Sequence, residues 1–351
     1  MKKNSKIAIV TGGTGGHLFP AISLTEQLIA EKKKIIFLSD NRVKRIINKN
    51  KFLYKNKNVV FYSFEISRSI KKILYYFLNL FKIFKILRKN NPDIVISFGG
   101  YTSIPFLLIS KLLLKPIILH ESNATMGSAN KLFYFFSQKV IYGWGDKKKN
   151  ENKEKIFYIR NPVRKKVLNL RKKVKNYINK KIIILIVGGS QGAAIFDKVI
   201  PGSLNLLPNN IKKKIKIYHQ CSKLNYINVK KNYKKNKINA TCKKFFNDLP
   251  NIMYKCQFVI SRSGSSTLSE ITALGKPSIL IPYKFAKNNH QQKNAEWLVN
   301  KGAGIMVLEN EFNENQLKNK ITDFIKNKKK IRKMSKNSFL IGDENSLFKL
   351  V

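Results

Sequence analysis

Both halves of the chain open in the same way. Lys6–Val10 is a short apolar run, followed by Gly12-Gly13-Thr14-Gly15-Gly16 and then by helical periodicity from about Pro20 to Glu31. Lys181–Val187 is a second such run, followed by Gly188-Gly189-Ser190-Gln191-Gly192 and helical periodicity from Ala193. The second opening lies about half the chain after the first. Each half then alternates short apolar strands with longer helical stretches. The expected strands are Ile35–Leu38, Val59–Phe64, Ile94–Ser97, Pro116–Leu119 and Val140–Tyr142, then Ile215–Tyr218, Phe258–Ser261, Ser278–Ile281 and Gly304–Val307. Such alternation predicts an α/β chain of two Rossmann-like, doubly wound domains with parallel sheets. The halves are expected to meet near Arg160–Arg164, where Asn161-Pro162 breaks the pattern. That divides the chain into domains at 1–160 and 161–340, with a closing segment at 341–351.

Composition bounds the rest. The 351 residues are 43% hydrophobic, which supplies two cores and excludes a disordered chain. Cys221, Cys242 and Cys256 are an odd number and form no C-x-x-C pair, which argues against a disulfide scaffold and against zinc. Reduced thiols in the cytosol fit best. Lys plus Arg is 69 and Asp plus Glu is 19, giving a formal charge of +50. One reading is a nucleic-acid or anionic-membrane partner. The plainer one is compositional drift: Lys, Asn and Ile are overused even in expected loops such as Asn228–Asn239, as in an AT-biased genome. The Lys/Asn runs at 147–155, 171–180 and 228–239 therefore read as surface loops.

Met1–Thr11 is too short in its apolar part for a signal peptide. Ile70–Leu87 and Ile104–Leu119 are the most apolar stretches, but internal lysines interrupt both, and a bilayer span needs about 20 nearly uninterrupted apolar residues. The expectation is a soluble or peripheral protein.

A glycine turn between strand and helix brings backbone N–H groups close to an anion, and the helix N-terminus adds partial positive charge. Four such turns occur: Gly12–Gly16, Gly99-Gly100, Gly188–Gly192 and Ser263-Gly264-Ser265. All four are expected at strand ends, where ligands of open α/β sheets bind, and their distribution over both halves points to a cleft between domains. A nicotinamide dehydrogenase is one rival, since Asp40 ends the second strand. However, the first turn lacks the last glycine of G-x-G-x-x-G, and that reading leaves the second glycine domain unexplained. No G-x-x-x-x-G-K-[ST] P-loop occurs.

Taken together, the motifs resemble one family in order and spacing. They are Gly12-Gly13-Thr14-Gly15-Gly16-His17, Phe98-Gly99-Gly100-Tyr101, His120-Glu121-Ser122-Asn123 and Asn161-Pro162-Val163-Arg164 in the first half. In the second they are Gly188–Ala193, His219-Gln220, Arg262-Ser263-Gly264 through Ser269-Glu270, and His290-Gln291 with Asn294-Ala295. Over nearly its whole length the chain resembles the MurG family of N-acetylglucosaminyltransferases of peptidoglycan synthesis. The resemblance implies a glycosyltransferase B-type fold, with an acceptor- and membrane-binding first domain and a UDP-GlcNAc-binding second domain. The implied reaction moves GlcNAc from UDP-GlcNAc to the C4 hydroxyl of undecaprenyl-pyrophosphoryl-MurNAc-pentapeptide, on the cytoplasmic face of the inner membrane. No cofactor or nucleic-acid partner is implied.

The same resemblance distributes roles. Glu270 would take the ribose hydroxyls, with Ser265, Ser266, Thr267, Leu268 and Ser269 of the same stretch at the donor. Ser190 and the backbone of Gln191 and Gly192 suit phosphate oxygens. Phe246 would lie along the uracil, through its main chain. Arg164 would neutralise diphosphate charge, and Gln291 would bind sugar hydroxyls, helped by Gln292 or Asn294. Thr14, Gly15, Gly16 and Asn123 would reach across the cleft. The chemistry is inversion in one displacement, needing a base for the hydroxyl and neutralisation of the leaving diphosphate. His17 is the first candidate base because imidazole titrates near neutral pH, and Glu121 is the second. No D-x-D occurs to carry a metal–diphosphate bridge, so metal independence is expected there. Plainer readings stand beside these: Ser190 as a helix cap, Glu270 as a solvated helix residue, His17 as a packed ring, and His120 as a loop-orienting residue. All four histidines of the chain fall in the motif segments. Ser122 stands where the family often has Gln.

Two other functions remain open at this point: a related transferase acting on diacylglycerol, and a basic nucleic-acid-binding protein. The stretch Ile70–Arg88 is expected to be a membrane-docking helix. Ile73, Tyr76, Phe77, Leu80, Ile83, Phe84 and Leu87 would face the sheet. Leu74, Tyr75, Leu78 and Ile86, among Lys71, Lys72, Lys82, Lys85 and Lys89, would face anionic lipid.

Overall fold

The computed structural model describes residues 5–342 except 14, 50–52, 54–55, 67–72, 148, 150, 175–181 and 190. The chain forms two compact units that part between Lys165 and Lys166. The expected closing segment lies outside the described residues from 343 onward.

In the first unit the order is β1 (Lys6–Val10), α1 (Gly15–Ala30), β2 (Lys34–Asp40), α2 (Lys44–Lys49), β3 (Val59–Phe64), α3 (Ile73–Asn90), β4 (Ile94–Ser97), α4 (Ile104–Leu112), β5 (Ile117–Glu121), α5 (Ser128–Phe133), β6 (Lys139–Tyr142) and β7 (Ile156–Tyr158). Among the described residues its sheet runs β3-β2-β1-β4-β5-β6-β7, and every pairing is parallel. Strands covered on both faces read as continuous apolar runs, and β1 shows why. Ile7 and Ile9 pack with Leu18, Leu24 and Leu28 of α1 on one face. Ala8 and Val10 pack with Ile83, Leu87 and Phe106 on the other. Each fully buried Ile or Leu contributes about 1.5–3 kcal/mol of burial free energy, so one strand anchors both layers.

The second unit continues with α6 (Lys165–Arg171), β8 (Ile182–Val187), α7 (Ala194–Asn205), α8 (Asn209–Lys212), β9 (Ile215–Gln220), α9 (Tyr226–Lys235), β10 (Ala240–Lys243), α10 (Leu249–Lys255), β11 (Phe258–Ser261), α11 (Ser265–Ala273), β12 (Ser278–Leu280), α12 (His290–Asn300), β13 (Gly304–Met306), α13 (Glu314–Lys326) and α14 (Lys328–Ile341). Its sheet, again parallel, runs β10-β9-β8-β11-β12-β13.

Several expectations change. The helix after the first glycine turn begins at Gly15, not near Pro20, so His17 lies in its first turn. The 228–239 run is not a loop: most of it forms α9, and Val229 and Tyr233, four residues apart, are buried. The 147–155 run shows turns at its described residues, and 175–180 lies outside them. On α3, Ile83 and Leu87 are buried as expected, but Phe77 is 60% exposed rather than packed on the sheet. Among the described side chains of α3, those at the core are Leu80, Ile83, Phe84, Ile86 and Leu87. Ile86, expected on the lipid side, packs partly against the core. Leu78 is exposed. The side chains at 71–76 lie outside the described ones, among them Leu74, Tyr75 and Tyr76. Among the described residues no helix is long and apolar enough to cross a membrane.

Candidate active site

Each sheet reverses its strand order once near the middle, between β1 and β4 in the first unit and between β8 and β11 in the second. Those strands carry the four glycine turns at their C-terminal ends, so each unit presents two turns side by side at its switch point.

In the first unit the two turns touch. Gly12 N–H donates to Gly99 O at 3.2 Å. A Cβ on Gly12 would stand 3.2 Å from Gly99 O and 3.4 Å from Gly100 Cα, and one on Gly100 would stand 3.4 Å from His17 Cδ2. Gly100 also has φ +87°, a conformation that favours glycine. The half-buried His17 ring thus lies against the second turn. Close by, His120 is fully buried, its ring 4.7 Å from that of Phe98. Burial and then the nearby His17 push its pKa down to about 3, which keeps it neutral. Ser122 Oγ stands 3.4 Å from His120 Nδ1.

Glu121 is also buried, and both its oxygens are engaged. Oε1 accepts from Asn123 N at 3.0 Å and Asn123 Nδ2 at 3.1 Å. Oε2 accepts from Gly127 N at 2.8 Å and Asn130 Nδ2 at 3.0 Å. This carboxylate shapes the segment between β5 and α5, and it commits the Asn123 side chain to the same knot. Gly15 is half-buried, and Gly16 is exposed with open space at its Cα. Thr14 lies outside the described residues.

Asp40 does not face a nucleotide ribose. Its Oδ1 accepts from Arg42 N at 2.9 Å and Nε at 3.0 Å, and Oδ2 from Nη2 at 2.8 Å. Burial would lift this carboxyl, but the hydrogen bonds and charge of Arg42 outweigh that and hold it below its ordinary value. The Arg42 guanidinium in turn lies 5.3 Å from the Tyr101 ring centroid, and the pair backs onto Gly13. The dehydrogenase reading loses its acid.

In the second unit Gly189 and Gly192 have φ +91° and +76°. Gly192 is pressed against Cys221 and Ser222, where a Cβ would stand 2.6 Å from Cys221 C. Gln220 Nε2 donates to Gly189 O at 2.7 Å, so the end of β9 holds the turn that follows β8. Gln191 is exposed. Ser190 lies outside the described residues.

The turn after β11 is held equally firmly. Buried Arg262 donates from Nη1 to Glu309 Oε2 at 2.8 Å and to the carbonyls of Ile281 and Pro282. Ser263 Oγ donates to Gln291 O at 2.7 Å, and Asn294 Nδ2 to Ser263 O at 3.2 Å. Arg262 and Asn294 therefore brace the turn. Ser265, Ser266 and Thr267 form the first turn of α11, where helix N–H groups lack intrahelical partners. Leu268 is core, and Ser269 Oγ donates back to Ser265 O at 2.9 Å, so side-chain ligand contacts are not open to these two. Glu270 is half-buried on the same helix. Gln291 Oε1 accepts from Tyr283 N at 3.0 Å. Phe246 is buried edge-on to Tyr218 with centroids 6.0 Å apart, which leaves its main chain as the part a base can meet. Arg164 is half-buried just before α6.

Sequence reasoning missed the supporting residues: Asn130, Arg42, and Gln220 as a brace. None lies in a glycine motif. Only the two-residue spacing of Asp40 and Arg42 was a local signal, for a side chain bonding its own backbone two residues on.

Residues 7–142 match the glycosyltransferase family 28 N-terminal domain, and residues 183–348 match the glycosyltransferase family 28 C-terminal domain. Similar proteins include a UDP-N-acetylglucosamine–N-acetylmuramyl-(pentapeptide) pyrophosphoryl-undecaprenol N-acetylglucosamine transferase of Wolbachia sp. subsp. Drosophila simulans (strain wRi). It is 32% identical over 98% of this chain and 97% of its own length. The enzyme of the same name from Rickettsia canadensis (strain McKiel) is 34% identical over 95% and 94%. The crystal structure of Acinetobacter baumannii MurG has the same fold, with a TM-score of 0.78 covering 99% of this chain and 98% of that one at 22% identity. Two family 28 domains matched in order, on a chain at least 32% identical to these relatives over nearly its full length, place it in the MurG family of glycosyltransferase family 28.

Proposed function

We propose that the protein is an inverting transferase that moves GlcNAc from UDP-GlcNAc to the C4 hydroxyl of undecaprenyl-pyrophosphoryl-MurNAc-pentapeptide. The observation that carries this reading is the full-length match to relatives named for that reaction. The paired glycine turns fit it. The second unit binds the donor. Backbone N–H groups of the Gly188–Gly192 turn and the first turn of α11 meet the diphosphate, Glu270 the ribose, and the main chain at Phe246 the uracil. Arg164 adds positive charge as UDP leaves. Gln291, whose Oε1 is already taken by Tyr283 N, offers its Nε2 to a sugar hydroxyl.

The first unit binds the acceptor. His17 accepts the C4 proton as the oxygen attacks the anomeric carbon. Glu121, with four donors on its carboxylate, positions Asn123 and the loop instead of acting as the base. Nucleotide class is testable by melting: UDP at 100 times its dissociation constant should stabilise the second unit by about 2.7 kcal/mol, and NAD should have no effect. Equal stabilisation by NAD would overturn the donor assignment.

We further propose that the first unit docks on anionic lipid at the cytoplasmic face of the inner membrane. Phe77, Leu78 and Phe81 of α3, Leu108 and Leu112 of α4, and Phe135 and Phe136 after α5 are exposed. Lys85 lies over the Phe81 ring at 4.3 Å and Lys111 over the Phe136 ring at 5.0 Å. Apolar groups ringed by lysines suit an interfacial site.

A further inference from the structure

The second unit also contains a buried group of ligand-type side chains that the transfer chemistry leaves unused. Asp197 lies in the first turn of α7, His219 in β9, and Cys221 just past the end of β9. The side chains of His219 and Asp197 are 0% and 1% exposed, and Cys221 is fully buried. Asp197 Oδ1 and His219 Nε2 stand 3.5 Å apart, and neither makes a hydrogen bond to any described residue. Asp197, His219 and Cys221 each offer one ligand atom, and these atoms all lie within 4.8 Å of one another.

A half-satisfied buried carboxylate is expensive. Asp197 Oδ2 accepts from Ser222 N at 3.1 Å and Asn225 Nδ2 at 3.4 Å, but Oδ1 has no hydrogen-bond partner among the described residues and stands beside the His219 imidazole, which burial keeps neutral. The cost of burying such a charge without compensation is several kcal/mol. A cation held by the orphaned atoms removes that cost.

We propose that Asp197 Oδ1, His219 Nε2 and Cys221 Sγ bind one divalent cation of the zinc class. Two ligand atoms about 2.0 Å from one ion at a tetrahedral angle stand about 3.3 Å apart. The 3.5 Å between Asp197 Oδ1 and His219 Nε2 matches that spacing. His219 Nδ1 is 3.0 Å from Tyr233 Oη, which turns Nε2 toward the cluster, as an outer hydrogen bond usually does for a ligand histidine. On binding, the Cys221 thiol gives its proton to solvent. One carboxylate and one thiolate then balance the double charge. The ion would tie α7 to the end of β9. No C-x-x-C marks the site because its ligands come from separate elements. The inference is independent of the transferase reading.

The test uses the full-length chain, produced in zinc-supplemented medium and also refolded with zinc, then dialysed and assayed for bound metal by mass spectrometry. The parent should hold about one zinc per chain. Cys221→Ser and Asp197→Asn, both close in shape to the parent residues, should hold roughly tenfold less or lower, with circular dichroism confirming that they fold. Cobalt in place of zinc should give thiolate-to-metal absorption that Cys221→Ser lacks. A strong chelator should lower the melting temperature of the parent and leave that of both variants unchanged. A parent without stoichiometric metal in both preparations, or a Cys221→Ser chain with full zinc, overturns the site; Asp197 and His219 would then share only a proton.

Discussion

Asn130 Nδ2 lies 3.0 Å from Glu121 Oε2 and 3.2 Å from the His120 carbonyl, so one buried amide ties α5 to the end of β5. With Asn123 and Gly127 N–H on the same carboxylate, Glu121 works as the hub of a loop. With its lone pairs taken by donors, this carboxylate is not placed to accept a further proton, and we assign the base to His17, on the lip formed by the two glycine turns.

Glu121→Gln places an amide donor where a backbone or amide donor already points. It should destabilise the first unit by about 1–3 kcal/mol and lower kcat while keeping the shape of the pH–rate profile. His17→Ala should lower kcat about 10²-fold or more and erase the limb that reports the base. Melting curves with kcat measured across pH check both. A Glu121→Gln chain of parental stability whose pH limb has vanished would transfer the role of base to Glu121.

Glu270→Ala should raise KM for UDP-GlcNAc far more than KM for the acceptor, because ribose contacts belong to donor binding. Steady-state kinetics with each substrate varied in turn decides this. Equal effects on both substrates count against the assignment.

His120 links stability to pH. Its folded pKa of about 3 lies below the ordinary histidine value of 6.5, so the unfolded chain takes up a proton that the folded chain refuses. The contribution is full above 6.5 and is lost as pH falls toward about 3, at about 1.4 kcal/mol per pH unit. Between pH 6.5 and 5.0 the first unit should lose about 2 kcal/mol through this group. His120→Phe, which keeps a ring beside Phe98, should lack that loss in urea denaturation. Identical pH dependence of parent and variant would show that His120 protonates freely in the folded state.

The strands at Val59–Phe64, Ile94–Ser97 and Phe258–Ser261 begin and end where their apolar runs do. Ile94–Ser97 and Phe258–Ser261 are covered on both faces, which leaves that signature, whereas in the edge strand Val59–Phe64 only Phe64 is buried. The strand Ala240–Lys243 has only Ala and Cys as apolar residues, and α9 hides two buried residues in a Lys/Asn run; tertiary packing selects both. The glycine turns were legible because only glycine suits such approach and φ. Their braces were not: Asn130, Arg42 and Gln220 are ordinary polar residues until the fold brings them to a partner.

A Phe77→Ser, Phe81→Ser, Lys85→Glu chain should sediment several-fold less with anionic vesicles than the parent, since each lysine near such a surface is worth about 1 kcal/mol. Its melting temperature should not change, because Phe77 and Phe81 are exposed. Undiminished sedimentation would remove α3 from the docking surface.

Transfer itself is the decisive measurement. Purified protein is incubated with labelled UDP-GlcNAc and either a short-chain pyrophosphoryl-MurNAc-pentapeptide lipid or diacylglycerol, and labelled lipid product is measured. The proposed transferase activity should give a GlcNAc-β-1,4-MurNAc lipid from the first acceptor and no labelled product from the second. Label on diacylglycerol, or none on the MurNAc lipid from folded protein that binds UDP, would contradict it.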